Sequence, residues 1–208
     1  MANPIEVANS ILSDLRSTDS ARIEGGLLTA FFVLEQTARY KASAADNDNN
    51  VQATPPDRDE WLARLRSEYE AYSGVRGFPA EYVGVVLPDS DVDTIVRALL
   101  QYVKGLDAKA TNAIAAIAVS GRVWVVPLLA QLVRDTAEYD APLARDAIYA
   151  MSKILRENGI VPGAVLASDV DWIMRDAVEA LQLAAVSGAE GPLRAREQAQ
   201  IELASLTE

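Results

Sequence analysis

The 208-residue chain contains no cysteine and no histidine, and only 6% of it is aromatic. Without cysteine there are no disulfides and no thiolate chemistry, and without either residue there are no Cys/His zinc sites. Without histidine every His-based catalytic triad is excluded. No apolar run is long enough to span a bilayer and no secretory leader pattern is visible, so the reading is a cytoplasmic protein with no membrane partner. An excess of basic residues is also missing. Nineteen Lys and Arg stand against thirty Asp and Glu, a formal net charge of −11. Nucleic acid and anionic membranes demand a basic footprint, so this balance argues against both.

What is present is apolar and helical. Half the chain is hydrophobic by type. Alanine supplies about one residue in six and clusters where apolar residues recur at helical spacing. A chain of this length buries about two thirds of its unfolded surface.

The first helix is expected from Pro4 to about Arg16, with Ile5, Ala8, Ile11, Leu12 and Leu15 on one face. Pro4 suits a first turn, where its missing donor costs nothing. A second helix is expected over 20–41, its apolar face carrying Ile23, Leu27, Ala30, Phe31, Leu34 and Ala38. Gly25-Gly26 inside it implies close approach of a neighbouring helix or a bend. From Ala42 to Asp57 the pattern turns polar, Asn/Asp-rich and ends in two prolines, which reads as a flexible polar loop. Helix resumes at Arg58, placing Trp61, Leu62, Leu65, Tyr69 and Tyr72 along one side. The segment Val83 to Leu87 fits either a short strand or a buried helical turn. From Ser90 onward helix follows helix, with breaks near Gly105, Ser120-Gly121, Tyr139 to Pro142, Gly159 to Pro162 and Ser187 to Pro192.

The sequence also echoes itself. SDVDTIVRA at Ser90 to Ala98 recurs as SDVDWIMRD at Ser168 to Asp176. Ser90 and Ser168 sit where N-caps belong. Asp91, Asp93, Asp169 and Asp171 oppose the positive end of a helix dipole. Asp93 with Arg97, and Asp171 with Arg175, are i,i+4 pairs. Between the copies, two stretches share one plan of helix, turn and helix. Leu99, Val103, Ala113, Ile114 and Ile117 in the first answer Leu129, Val133, Ala147, Ile148 and Met151 in the second.

The N-terminal stretch Ile11 to Gln36 has the same plan, with Asp19 in the turn and Arg22 in the first turn of the next helix. Arg145 stands near the start of a second helix further on. This pattern resembles the HEAT and armadillo class of helical repeats over about two thirds of the chain, excluding Ala42 to Pro88. The resemblance implies an all-α, right-handed solenoid of stacked helical hairpins, with an irregular insertion before its C-terminal units. The expected organisation is one repeat domain over 1–208, with hairpin repeats over 90–206. Physics agrees in outline, because a hairpin that cannot bury its apolar stripe alone must stack on a neighbour, and a single globular helical bundle is the alternative fold.

Candidate chemistry is thin. Asp89, Asp91 and Asp93 have the D-x-D-x-D spacing of a calcium loop, but Thr94 stands at the required glycine and Leu100 at the required glutamate. No metal and no cofactor is therefore expected. Glu24 with Glu35, and Glu68 with Glu70, are the nominal carboxylate pairs, and the second pair points to different sides of one helix. Phosphate-cradling loops and nucleophile elbows are absent from the sequence. No catalytic residue is assigned.

The leading reading is a non-catalytic protein-interaction or scaffold module. Its partner-binding surface would carry Lys109, Asn112, Arg145, Tyr149 and Lys153, with Ser152 and Arg156 on the same stripe, because Arg and Tyr are enriched at binding hot spots. Trp61, Trp124 and Trp172 are expected to pack between helices. Two alternatives stay open on sequence grounds. One is an enzyme or enzyme-accessory protein, lyase-like or small-molecule binding, with a cleft formed by helices. The other is a homo-oligomer that buries Tyr82 to Leu87 between chains.

Overall fold

Asn3 starts the first helix. Its Oδ1 accepts from the Ile5 amide at 3.0 Å and Pro4 occupies the first turn, so α1 runs Pro4–Leu15. Our computed structural model describes residues 2–49, 67, 79–105, 108–161, 164, 167–190 and 194–207. Among them every regular element is helical. After α1 come α2 (Ser20–Asn49), α3 (Asp89–Lys104), α4 (Ala110–Val119), α5 (Val126–Thr136), α6 (Ala141–Glu157), α7 (Ser168–Ser187) and α8 (Ala195–Thr207). The expected helix from Arg58 lies, but for residue 67, outside the described residues. No helix in the described residues is long and apolar enough to cross a membrane. The chain divides into two compact units, Met1–Gly105 and Leu106–Glu208.

In the first unit α1 packs against α2 and α3. The inward face of α1 is Val7, Ala8, Ile11 and Leu15, while Ile5 is 61% exposed and falls outside the expected stripe. Asp19 caps α2 by accepting from the Ala21 amide at 2.9 Å. Arg22 reaches back across the hairpin to Asp14, with Nε at 3.0 Å and Nη2 at 2.7 Å from the same oxygen. The expected close approach is found at Gly26. A Cβ there would stand 2.9 Å from Asp14 Cβ and 3.2 Å from the Leu15 nitrogen, whereas Gly25 faces open space.

Helix α2 continues to Asn49, beyond its expected end at Lys41 and into the segment read as a loop. Lys41, Ala42, Ala44 and Ala45 favour helix, so the break belongs further along than the polar composition implied. Residues 50–57 of that expected loop lie outside the described residues. The buried side of α2 is also broader than expected, taking in Phe32, Val33, Gln36 and Thr37.

Gln36 and Thr37 organise the approach to α3. After a single 3-10 turn at Ala80–Tyr82 the chain is neither strand nor helix, yet Val83, Val85 and Leu87 are at most 5% exposed. Backbone in that state needs partners supplied from elsewhere. The Gln36 amide nitrogen donates to the carbonyls of Tyr82 at 2.9 Å and Val85 at 2.8 Å. Its Oε1 accepts from the Gly84 amide at 3.0 Å, and Thr37 Oγ1 accepts from Leu87 at 3.1 Å. Gly84 takes φ +79°, a conformation that strains any side-chain-bearing residue. The segment is therefore core within its own unit, which corrects its reading as an exposed strip awaiting a second chain.

Helix α3 then buries Val92, Ile95, Val96, Leu99, Leu100 and Val103. The expected serine caps are not formed. The Pro88 carbonyl accepts from Val92, and the Ala167 carbonyl accepts from Asp171, so Ser90 and Ser168 lie inside the first turns of α3 and α7.

In the second unit α5 packs on α6, and α7 on α8, as successive hairpins. Across them α5 meets α7 and α6 meets α8, while α4 lies against the other side of α6. The expected apolar positions Ala113, Ile114, Ile117, Leu129, Val133, Ala147, Ile148 and Met151 are all at most 1% exposed. Each large aliphatic among them contributes about 1.5–3 kcal/mol by leaving water. Helix α6 ends at Gly159, φ +66°, where Gly159 and Ile160 donate back to the Arg156 and Leu155 carbonyls.

Candidate functional site

Helix α6 is flanked by α4 and α8 and backed by α5, so only one narrow face of it meets solvent. Asp140 begins the helix by accepting from the Leu143 amide. From that start, Arg145, Tyr149 and Lys153 recur every fourth residue and share the open face. Tyr149 is 51% exposed. Arg145 directs Nε and Nη2 to one oxygen of Asp146, at 3.0 and 2.7 Å. The Lys153 ammonium pairs with Glu157. Lys109 stands half-buried at the entry to α4, and Asn112 is exposed on the first turn of α4. The five expected residues thus belong to the second unit, three on one helix and two on its neighbour.

Ser152 does not join them. It is fully buried and its Oγ has no hydrogen-bond partner. Arg156 turns sideways to α8, where it pairs with Glu202 and meets Ser205 Oγ at 2.8 Å. Glu202 is 4% exposed and also accepts from Gln198 at 2.8 Å. A parallel contact joins α5 to α7. Arg134 Nη2 lies 2.6 Å from the Asp176 carboxylate and 2.9 Å from its carbonyl oxygen.

The surface that results has weak net charge and one aromatic ring. A tyrosine offers large contact area at low entropic cost, and the flanking ion pairs fix the polar groups around it. Sequence reading missed that the cations are neutralised locally. The Arg145-Asp146 dipeptide and the Lys153/Glu157 spacing carried that signal. Nothing local signalled Glu202, which is 46 residues from Arg156.

The nominal carboxylates do not converge. Glu24 accepts from Ser20, and Glu35 pairs with Arg39 at 2.8 Å. Glu68 and Glu70 lie outside the described residues. Among the described residues no group of three or more carboxylates is placed to hold a metal ion. Trp124 is half-buried as expected, but Trp172 is 47% exposed and is not a packing residue of the hairpin core. Trp61 lies outside the described residues.

No family model matches this chain. No curated protein and no solved structure matches it either.

Proposed function

We propose that the protein is a non-catalytic protein-interaction module built of stacked, HEAT-like helical hairpins. The surface engaging a partner protein carries Lys109, Asn112, Arg145, Tyr149 and Lys153. One observation carries the reading: α4, α6 and α8 pack side by side and leave Arg145, Tyr149 and Lys153 together on the open face of the middle helix. Helical-repeat proteins bind partners along rows of this kind, where each helix contributes a few side chains to an extended surface. The paired contacts Arg134–Asp176 and Arg156–Glu202 support the stacking half of the reading, since each links corresponding helices of successive hairpins.

The test is quantitative affinity purification from the native host with the wild type and the double variant Arg145→Ala/Tyr149→Ala. Far-ultraviolet circular dichroism checks that the variant is folded. The reading predicts that specific co-purifying proteins fall at least about tenfold, the size expected when hot-spot residues are truncated. Unchanged recovery from a folded variant removes this surface from the account.

A further inference from the structure

A second surface of the same unit carries more exposed apolar area than the one just described. The exposed large hydrophobic residues of α5, the turn after it and α7 are Leu128, Tyr139, Trp172, Leu183 and Val186, against Tyr149 and Ile201 on α6 and α8. Leu183 and Val186 stand one turn apart, and Trp172 lies on the same side of α7 about three turns earlier, with Arg175 and Glu179 exposed between them. The other side, including Met174, Ala177, Leu181 and Ala184, is buried. Tyr139 belongs to the same region, because the Ala137 carbonyl accepts from the Ala189 amide at 2.8 Å just beyond the end of α7. Val186 and Tyr139 are 75% and 74% exposed. A solvated helix face ordinarily carries only polar residues at such positions, and large apolar side chains exposed among charges mark an interaction site.

The charges beside these side chains state what would cover them. Arg134 and Arg175 are taken up by Asp176 and Asp171. Glu138 and Glu179 are exposed and have no cation among the described residues, and the Asp135 carboxylate is met by the neutral amide of Gln131 at 2.8 Å. Arg194, exposed near the end of α7, is the one arginine here without a carboxylate partner among the described residues, so three acids against it leave the uncompensated charge of this face negative. We infer that the α5/α7 face docks a basic amphipathic segment of a partner protein. Its apolar side chains would lie on Trp172, Leu183 and Val186, and its lysines or arginines opposite Glu138 and Glu179. Helices recognised in this way present apolar anchors along one face with a cationic flank.

The experiment uses the full chain and a labelled synthetic helix of leucine and lysine, read by fluorescence anisotropy. The counterpart with glutamate in place of lysine is the charge control. Glu138→Lys/Glu179→Lys and Leu183→Ser/Val186→Ser should each weaken the basic probe at least about tenfold. Glu6→Lys/Glu24→Lys changes net charge equally but lies in the first unit, and should leave binding within about twofold. All four positions of the test pairs are exposed, so circular dichroism should be unchanged. Should a double variant fold poorly, Glu179→Gln and Val186→Ser singly give the same ordering. Equal loss with the first-unit control would reduce the effect to overall charge and overturn the proposal. So would binding of the acidic probe as tightly as the basic one, or wild-type affinity in Leu183→Ser/Val186→Ser. Sedimentation showing a dimer dissolved by Val186→Ser would assign the face to a second copy and overturn it as well. Arg145→Ala/Tyr149→Ala should leave the probe's affinity unchanged, so this result stands or falls separately from the α6 surface.

Discussion

The two units bury polar groups in different ways. In the first, Gln36 and Thr37 are inserted into the core to serve backbone that no helix serves, across Tyr82 to Leu87. In the second, Ser120 and Thr136 return their hydroxyls to carbonyls of their own helices, Ile117 and Leu132, and Glu202 alone among the buried polar side chains described there joins one helix to another, through Arg156. Regular helices satisfy their own amides and carbonyls, so in the second unit side chains bond backbone mainly at helix ends, as Asn158 does at the Gly121 carbonyl and Arg196 at the Gly188 carbonyl. The irregular segment from Tyr82 to Leu87 makes some turn bonds of its own, such as Val85 to the Tyr82 carbonyl, but leaves the Gly84 and Leu87 amides to side chains of α2. Buried hydrogen bonds to backbone are therefore a condition of folding in the first unit, and an adjustment of helix packing in the second.

The largest effect that sharpens this contrast is expected at Gln36. Gln36→Leu fills the same space but orphans the Val85 carbonyl and the Gly84 amide in the core, while the Tyr82 carbonyl keeps the Val85 amide, costing about 2–4 kcal/mol. Urea unfolding should show a markedly lower midpoint. A loss under about 1 kcal/mol would mean that the segment finds water or other partners, and would erase the distinction between the units.

A smaller loss is expected from Arg156→Ala. It strands Glu202, and with Arg156 itself one-third exposed the cost should be about 2 kcal/mol rather than that of a fully buried pair. Adding Glu202→Gln should recover part of it, and a double-mutant cycle by thermal unfolding measures the coupling. The smallest is at Asp171. Its pair with Arg175, at 3.1 Å with both groups exposed, lies on the surface, and Asp171→Asn should move stability by under about 0.5 kcal/mol.

Much of the helical framework was legible from local chemistry. Pro4, Gly105, Gly121 and Gly159 punctuate helices as their backbone demands, and the alanine-rich stripes of α4 and α6 bury as their spacing requires. Gly26 announced a helix contact before any partner was known. The serine caps failed because the Pro88 and Ala167 carbonyls begin the helices earlier, which spacing alone does not reveal. Gln36 and Thr37 were not part of the apolar face read for α2, and their partners lie 46 to 50 positions away. The same separation hid Glu202 from Arg156. At the candidate surface, the fourfold spacing of Arg145, Tyr149 and Lys153 was readable, whereas the burial of Ser152 was not. Trp172 was misjudged because large aromatics usually pack, and only the fold shows which side of α7 is covered.

Native-state hydrogen exchange at the Gly84 and Leu87 amides tests the contrast most directly. Both donate to buried side chains of α2, so they should exchange as slowly as the amides in the middle of α3, and Gln36→Leu should release Gly84 by at least about a hundredfold. Exchange of Gly84 and Leu87 at the rate of an open loop in the wild type would contradict the account.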